Sequence, residues 1–169
     1  MAKKVKPIPE GYRSVTPYLA VDDGARAIDF YKSVFGATEV MRMNGPDGKV
    51  GHAEMRIGDS LIMLGSAPPD SGLRSPQSLN ASTVSIFVYL EDVDSTFHKA
   101  VSAGAKEVQK PENMFWGDRY GRLTDPFGHS WSLATHIEDV SQEEMGRRAQ
   151  EAAKAAAQRA HAAGHSGQH

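Results

Sequence analysis

Apolar and polar positions change period several times along the chain, and each change marks a new element. Residues 15–21 alternate as a strand does. Asp22-Asp23 then offers carboxylates to the free N–H groups of a helix whose apolar positions, Ala27, Ile28, Tyr31, Val34 and Phe35, recur at helical spacing. Gly36 closes that helix. Three extended stretches follow, at 38–43, 50–57 and 60–64, divided by Gly45-Pro46-Asp47-Gly48 and Gly58-Asp59 turns. The order then repeats: a strand over 83–90, a helix over 92–103 closed by Gly104, and strands near 105–109, 119–124 and 130–134. The residues repeat too. DDGARAIDFYKSVFGATEV is echoed by EDVDSTFHKAVSAGAKEV, and Ile57-Gly58-Asp59-Ser60-Leu61 by Phe127-Gly128-His129-Ser130-Trp131. The chain reads as two tandem βαβββ modules.

Alternate strand residues face opposite sides of a sheet, so parity assigns each side chain a face. Val84, Ile86, Val88 and Leu90 fall under the helix, and Ser85, Phe87 and Tyr89 fall away from it. Ala53, Met55 and Ile57 take the helix side, leaving His52, Glu54 and Arg56 on the other. In the last strand Trp131 and Leu133 go inward and Ser130, Ser132 and Ala134 outward. One side of each sheet is core, the other mixed and polar. If the polar faces come together as a cup, they enclose a cavity of the kind that binds small ligands.

Composition narrows the function classes. The 169 residues suit one compact domain. Nineteen basic against 21 acidic side chains, a net charge of −2, argue against a nucleic-acid binder. With no cysteine, neither disulfides, thiolate metal sites nor a catalytic thiol are available. No apolar run reaches the length of a membrane span and the first residues lack a signal segment, so the expectation is a soluble cytoplasmic protein with no membrane partner. The domain is expected over 13–138, with module 1 over 13–65, a Pro/Ser-rich linker over 66–82 and module 2 over 83–138; residues 1–12 form an N-terminal extension. The segment 139–169 reads as an alanine-rich helix opened by a Ser141/Glu144 capping box and ending in a frayed tail, GHSGQH. Its histidines, His161, His165 and His169, are too sparse for a metal site.

The segment VTPYLAVDDGARAIDFYKSVFGA, the HAEMRIGDSLIML strand pair and FWGDRYGRLTDPFGHSWSL, set in paired modules, resemble the vicinal oxygen chelate superfamily of glyoxalase, bleomycin-resistance and extradiol-dioxygenase proteins, and within it the PhnB-like branch. The resemblance implies an α+β fold of two tandem βαβββ modules forming a cupped mixed β-sheet, here with an extra C-terminal α-helix. It also implies a small-molecule site and a homodimer, each site being completed either within one chain or across two. Metal-using members take ligands from the first and last strands of each module. Carried over, those positions are Thr16, Ile62, Ser85 and Ser132, none of which suits a divalent ion. No cofactor is therefore expected, and the leading reading is a metal-free binding protein. The alternative is a lyase, isomerase or dioxygenase using a displaced ligand set.

His52 and Glu54 are the catalytic candidates. Two apart on one strand, they form a hydrogen-bonded pair, a ligand-contacting or proton-transfer pair, or two of the ligands of a metal that lacks an evident third. The ligand-binding candidates are Thr16, Tyr18, His52, Glu54, Arg56, Ser85, Phe87, Trp116, Arg119 and Ser132. In the segment 114–120, Trp116 would stack on a planar ligand and Arg119 would pair with a carboxylate or phosphate, the alternative being a dimer contact or an ordered loop. Asp125-Pro126-Phe127-Gly128 reads as a structural turn, Trp131 as core, and His98, His129 and His136 as surface residues.

Overall fold

The structure is a computed structural model that describes residues 5–67 and 70–165. Its elements are β1 (Tyr18–Ala20), α1 (Gly24–Phe35), β2 (Thr38–Asn44), β3 (Val50–Ile57), β4 (Ser60–Gly65), the single turn α2 (Pro76–Leu79), β5 (Ser85–Tyr89), α3 (Val93–Ser102), β6 (Lys106–Asn113), β7 (Asp118–Thr124), β8 (Ser130–His136) and α4 (Gln142–His165). Each module folds into its own four-stranded mixed sheet, ordered β1-β4-β3-β2 and β5-β8-β7-β6. In both, the first strand pairs parallel with the last, and the remaining pairs are antiparallel. The duplication read in the sequence is thus a duplication of topology.

Local chemistry sets the element ends. Asp23 and Asp92 cap α1 and α3 by accepting from Arg26 N and Ser95 N at 3.1 and 3.0 Å. Gly36 ends α1 at φ +62°, a left-handed conformation that favours glycine. β1 is shorter than the alternating stretch 15–21, because Pro17 has no N–H for a ladder; its carbonyl still accepts from Met63 N at 2.8 Å, while Val15 is exposed. β6 is longer than expected. It tolerates Pro111 because it is an outer strand whose pairing with β7 is irregular between Gln109 and Glu112.

The modules meet through their helix-facing sides and share one core. Ala27, Ile28, Tyr31 and Val34 are buried as the periodicity predicts. Phe30 is buried as well, because α1 packs against the second module too: Phe30 meets Phe127 edge-on at 5.9 Å, and Phe35 lies 4.6 Å from Trp131. At this contact sits the buried carboxylate of Asp125. Its Oδ2 accepts from Tyr31 OH at 2.7 Å and Trp131 Nε1 at 2.8 Å, and its Oδ1 from the backbone of Phe127 and His129, both at 2.9 Å. The turn expected at 125–128 is therefore also the fastener between the modules. The second half of the linker docks on it through Gln77, which donates to the Pro126 carbonyl at 2.9 Å.

α4 begins as the sequence indicates: Ser141 Oγ accepts from Glu144 N at 3.2 Å, and Glu144 bridges to Arg148 at 2.7 Å. The helix runs to His165, past Gly164; residues 166–169 of the expected frayed tail, His169 included, lie outside the described residues. Among the described residues, no helix is long and apolar enough to cross a membrane.

Burial, reinforced by the Asp125 charge, holds the Tyr31 hydroxyl well above its ordinary pKa, so Tyr31 stays a neutral donor. Replacing Tyr31 by Phe leaves an Asp125 oxygen short of a partner and should lower unfolding free energy by about 1–3 kcal/mol. Asp125→Ala, which strands four donors at once, should cost more. Urea unfolding of both variants checks the order; an Asp125→Ala protein as stable as wild type would contradict it.

Candidate functional site

The faces turned away from the helices are the open ones. On the first sheet, register places Tyr18 beside Met63 and Met63 beside Glu54, with His52 and Arg56 on the same face of β3. Their polar atoms form a chain. The Tyr18 hydroxyl lies 3.4 Å from His52 Nδ1, the rings stack at 5.7 Å, and His52 Nε2 lies 3.4 Å from Glu54 Oε1. Tyr12, from the N-terminal extension, donates its phenol to Glu54 Oε2. Both carboxylate oxygens thus face donors, an arrangement that can hold or move a proton. Four of the candidates, Tyr18, His52, Glu54 and Arg56, come together here; Tyr12 is a member that strand parity could not reveal.

The second sheet carries hydroxyls and rings, although Ser132 and Ala134, expected outward, are buried rather than open. Ser85 Oγ and Ser132 Oγ lie 2.9 Å apart, Tyr120 OH reaches Ser132 Oγ at 3.1 Å, and Phe87 stacks on Tyr120 at 5.8 Å. Ser85, Phe87 and Ser132 are brought together as parity predicts. Arg122, opposite Ser132, joins the same face. Tyr120 and Arg122 were legible by the same parity rule applied along β7, where Gly121 and Leu123 are buried. That rule also places Arg119 on the helix side. There its guanidinium binds Asp94 of α3, Nη2 to Oδ1 at 2.7 Å, and Asn113 at 3.0 Å. The structure therefore does not bring Arg119 to the hydroxyl face.

Trp116 lies nearer that face but is engaged, donating Nε1–H to Asp118 Oδ2 at 3.0 Å and meeting Tyr120 edge-on. Asp118, buried, also accepts from Tyr89 OH at 3.0 Å and faces His136 Nδ1 at 2.8 Å. Thr16 lines a largely apolar cavity of about 710 Å³ between β4 and β5, which Phe87 and Tyr89 of the second face and Trp131 of the core also line.

The groups at the family's metal positions can be judged on donor chemistry. Strand register fixes the correspondence between modules: Tyr18 pairs with Met63 in the first as Phe87 pairs with Ser132 in the second. Met63, not Ile62, stands on the open face in the place of Ser132; Ile62 is buried opposite Met55. Thr16, Met63, Ser85 and Ser132 supply hydroxyls and a thioether, not the imidazoles and carboxylates a divalent ion takes. Among the described residues, no group of three His, Cys, Asp or Glu side chains could hold a metal ion.

His136 is exposed and hydrogen-bonded on both ring nitrogens, Nε2 to Asp139 at 2.9 Å and Nδ1 to Asp118. These two carboxylates, Asp139 most, raise its pKa above the ordinary 6.5. A raised folded pKa makes the imidazolium stabilising at pH below the unfolded value, and that contribution is lost as pH rises through the folded one. The gap in urea midpoint between wild type and His136→Ala should thus be larger near about pH 6 than near about pH 9. A gap independent of pH would refute this.

Comparison with known proteins agrees with this architecture. The sequence profile described as Glyoxalase/Bleomycin resistance protein/Dioxygenase superfamily matches residues 13–133. An uncharacterised protein of Mycobacterium bovis is 44% identical over 135 residues, covering 78% of this chain and 89% of its own. The crystal structure of TioX from Micromonospora sp. ML1 matches with a TM-score of 0.59 and 27% identity, covering 74% of this chain and 99% of that one. A PhnB protein from Bacillus cereus shares the fold, with a TM-score of 0.58 at 21% identity over 73% of this chain and 99% of that one. The chain belongs to the glyoxalase/bleomycin resistance protein/dioxygenase superfamily, with PhnB-like proteins among its structural neighbours.

Proposed function

We propose that this protein binds a small polar or aromatic molecule on its open sheet faces without a metal ion, as a cytoplasmic homodimer in which a second copy covers those faces. One observation carries the reading. Tyr18, Phe87 and Tyr89 are 43%, 49% and 63% exposed on strand surfaces, beside preorganised hydroxyls and an Arg122 guanidinium, where aromatic surface is normally buried or used. Among the described residues, no hydrogen bond or ring contact joins the Tyr18–His52–Glu54 face to the Phe87–Ser132–Tyr120 face. Tyr18 of the first face and Ser85 and Phe87 of the second do line one cavity, of about 610 Å³, between β1 and β5, and a second chain is the proposed cover for the rest of both faces.

A thermal-shift screen with aromatic antibiotics, phosphonates and α-keto acids tests the proposal, followed by calorimetry on the best compound. Phe87→Ala should weaken that compound at least about tenfold while leaving the unliganded unfolding midpoint nearly unchanged, since half of the ring is already in solvent. Dialysed protein should carry no stoichiometric divalent ion, and chelator should not alter affinity. Unchanged binding in Phe87→Ala, or one tightly held ion per chain, would overturn the reading.

The Tyr18–His52–Glu54 chain favours a second reading, metal-independent proton transfer. Hydrogen bonding places His52 between a phenol and a carboxylate, as a proton relay requires. Turnover of glutathione hemithioacetals or catechols that persists in chelator and is lost in His52→Gln would select it.

A further inference from the structure

Residues 7–12 lie outside the stretch that matches the family profile, yet they reach the open face of the first sheet. Pro9 to Tyr12 closes as a turn, the Tyr12 amide donating to the Pro9 carbonyl at 3.2 Å, with Gly11 at φ +84°. The turn sits so close to β3 that a Cβ on Gly11 would stand 3.3 Å from Arg56 Nη2. It also delivers the Tyr12 phenol to Glu54, the carboxylate that His52 faces from the other side. Beside it lies an open depression lined by Pro7, Ile8, Tyr12, Arg13, Glu54 and Met63.

We propose that this N-terminal turn is a built-in occupant of the ligand face. Tyr12 is its latch, and the molecule that displaces it carries a hydroxylated aromatic ring. The inference rests on the ligand-face reading above and names a substrate class for it. The chemistry follows from what Tyr12 already does. Glu54 accepts a phenolic hydrogen from it, and the stacked Tyr18–His52 pair stands along the same face as an aromatic wall. A ligand that takes over must bring the same donor to Glu54, or leave a partly buried carboxylate short of a partner. It must also lift the turn, so its apparent affinity is the intrinsic one reduced by the fraction of molecules with the latch open.

The test compares 4-methylphenol with 4-methylanisole, which lacks the donor, on the full chain, by calorimetry with the His52 ring signals followed by NMR. Tyr12→Ala should bind 4-methylphenol about tenfold more tightly than wild type, Tyr12→Phe should fall between them, and 4-methylanisole should bind every form more weakly. His52 signals should move on binding. Equal affinity of wild type and both variants for 4-methylphenol, with His52 signals moving, would overturn the latch and leave the ligand face standing. No binding and no His52 response in any of the three folded proteins would remove the ligand face and the latch together. Tyr12→Phe keeps the ring and so serves if Tyr12→Ala does not fold.

Discussion

The Asp125 carboxylate lies inside an apolar core with both oxygens committed, one to the backbone of its own turn and the other to Tyr31 of the first module and Trp131 of the second. An ion in such a place is tolerable only when every donor is in position, because each missing partner restores the cost of removing charge from water. Tyr31 reaches it only if α1 crosses to the second module, and the turn folds only if the carboxylate caps it. The hub thus selects one docking of the two modules, which nonspecific apolar contact between Phe30, Phe35, Phe127 and Trp131 would not do alone.

This docking consumes the helix-facing sides and leaves the polar faces to other uses. Between them these faces leave Tyr18 of the first sheet and Phe87 and Tyr89 of the second partly in solvent, aromatic surface that a binding role would use. The faces are also not equivalent. Reading each sheet from its outer strand inward, Tyr18–Met63–Glu54 in one module answers Phe87–Ser132–Arg122 in the other, and His52 answers Tyr120. Duplication kept an aromatic residue at the first position and reversed the charge at the third. Under the proposed function, a molecule held between the two faces would meet the Glu54 carboxylate on one and the Arg122 guanidinium on the other.

What could be read from the sequence depended on how local the determining physics is. Parity alone assigned His52, Glu54 and Arg56, and Ser85, Phe87 and Ser132, to their faces, because a strand's two sides are fixed by the backbone. It would have turned Arg119 inward and Arg122 outward had it been run along β7. Ile62 stands one residue off, because the echo of 57–61 by 127–131 aligns it with Ser132, whereas strand pairing aligns Met63 with Ser132. Tyr12 and the Asp125 fastener had no periodic signal. Each depends on a partner far away in sequence, Glu54 for one and Tyr31 for the other, and no local pattern encodes a contact that only the tertiary fold creates.

The same distinction separates scaffold from chemistry. At the metal positions of this fold the chain places Thr16, Met63, Ser85 and Ser132, and two of these are already hydrogen-bonded to each other. Hydroxyls joined this way are preorganised acceptors and donors for a neutral polar group, and they lose little on meeting one because the network is already ordered. The only carboxylate among the candidates sits one strand further in, on β3, where it is shared by His52 and Tyr12. With its second partner supplied from outside the repeated modules, that carboxylate suits, under the proposal above, a hydrogen-bond donor on a ring rather than an ion. The N-terminal turn is therefore part of the chemistry of the face it covers, although it belongs to neither module.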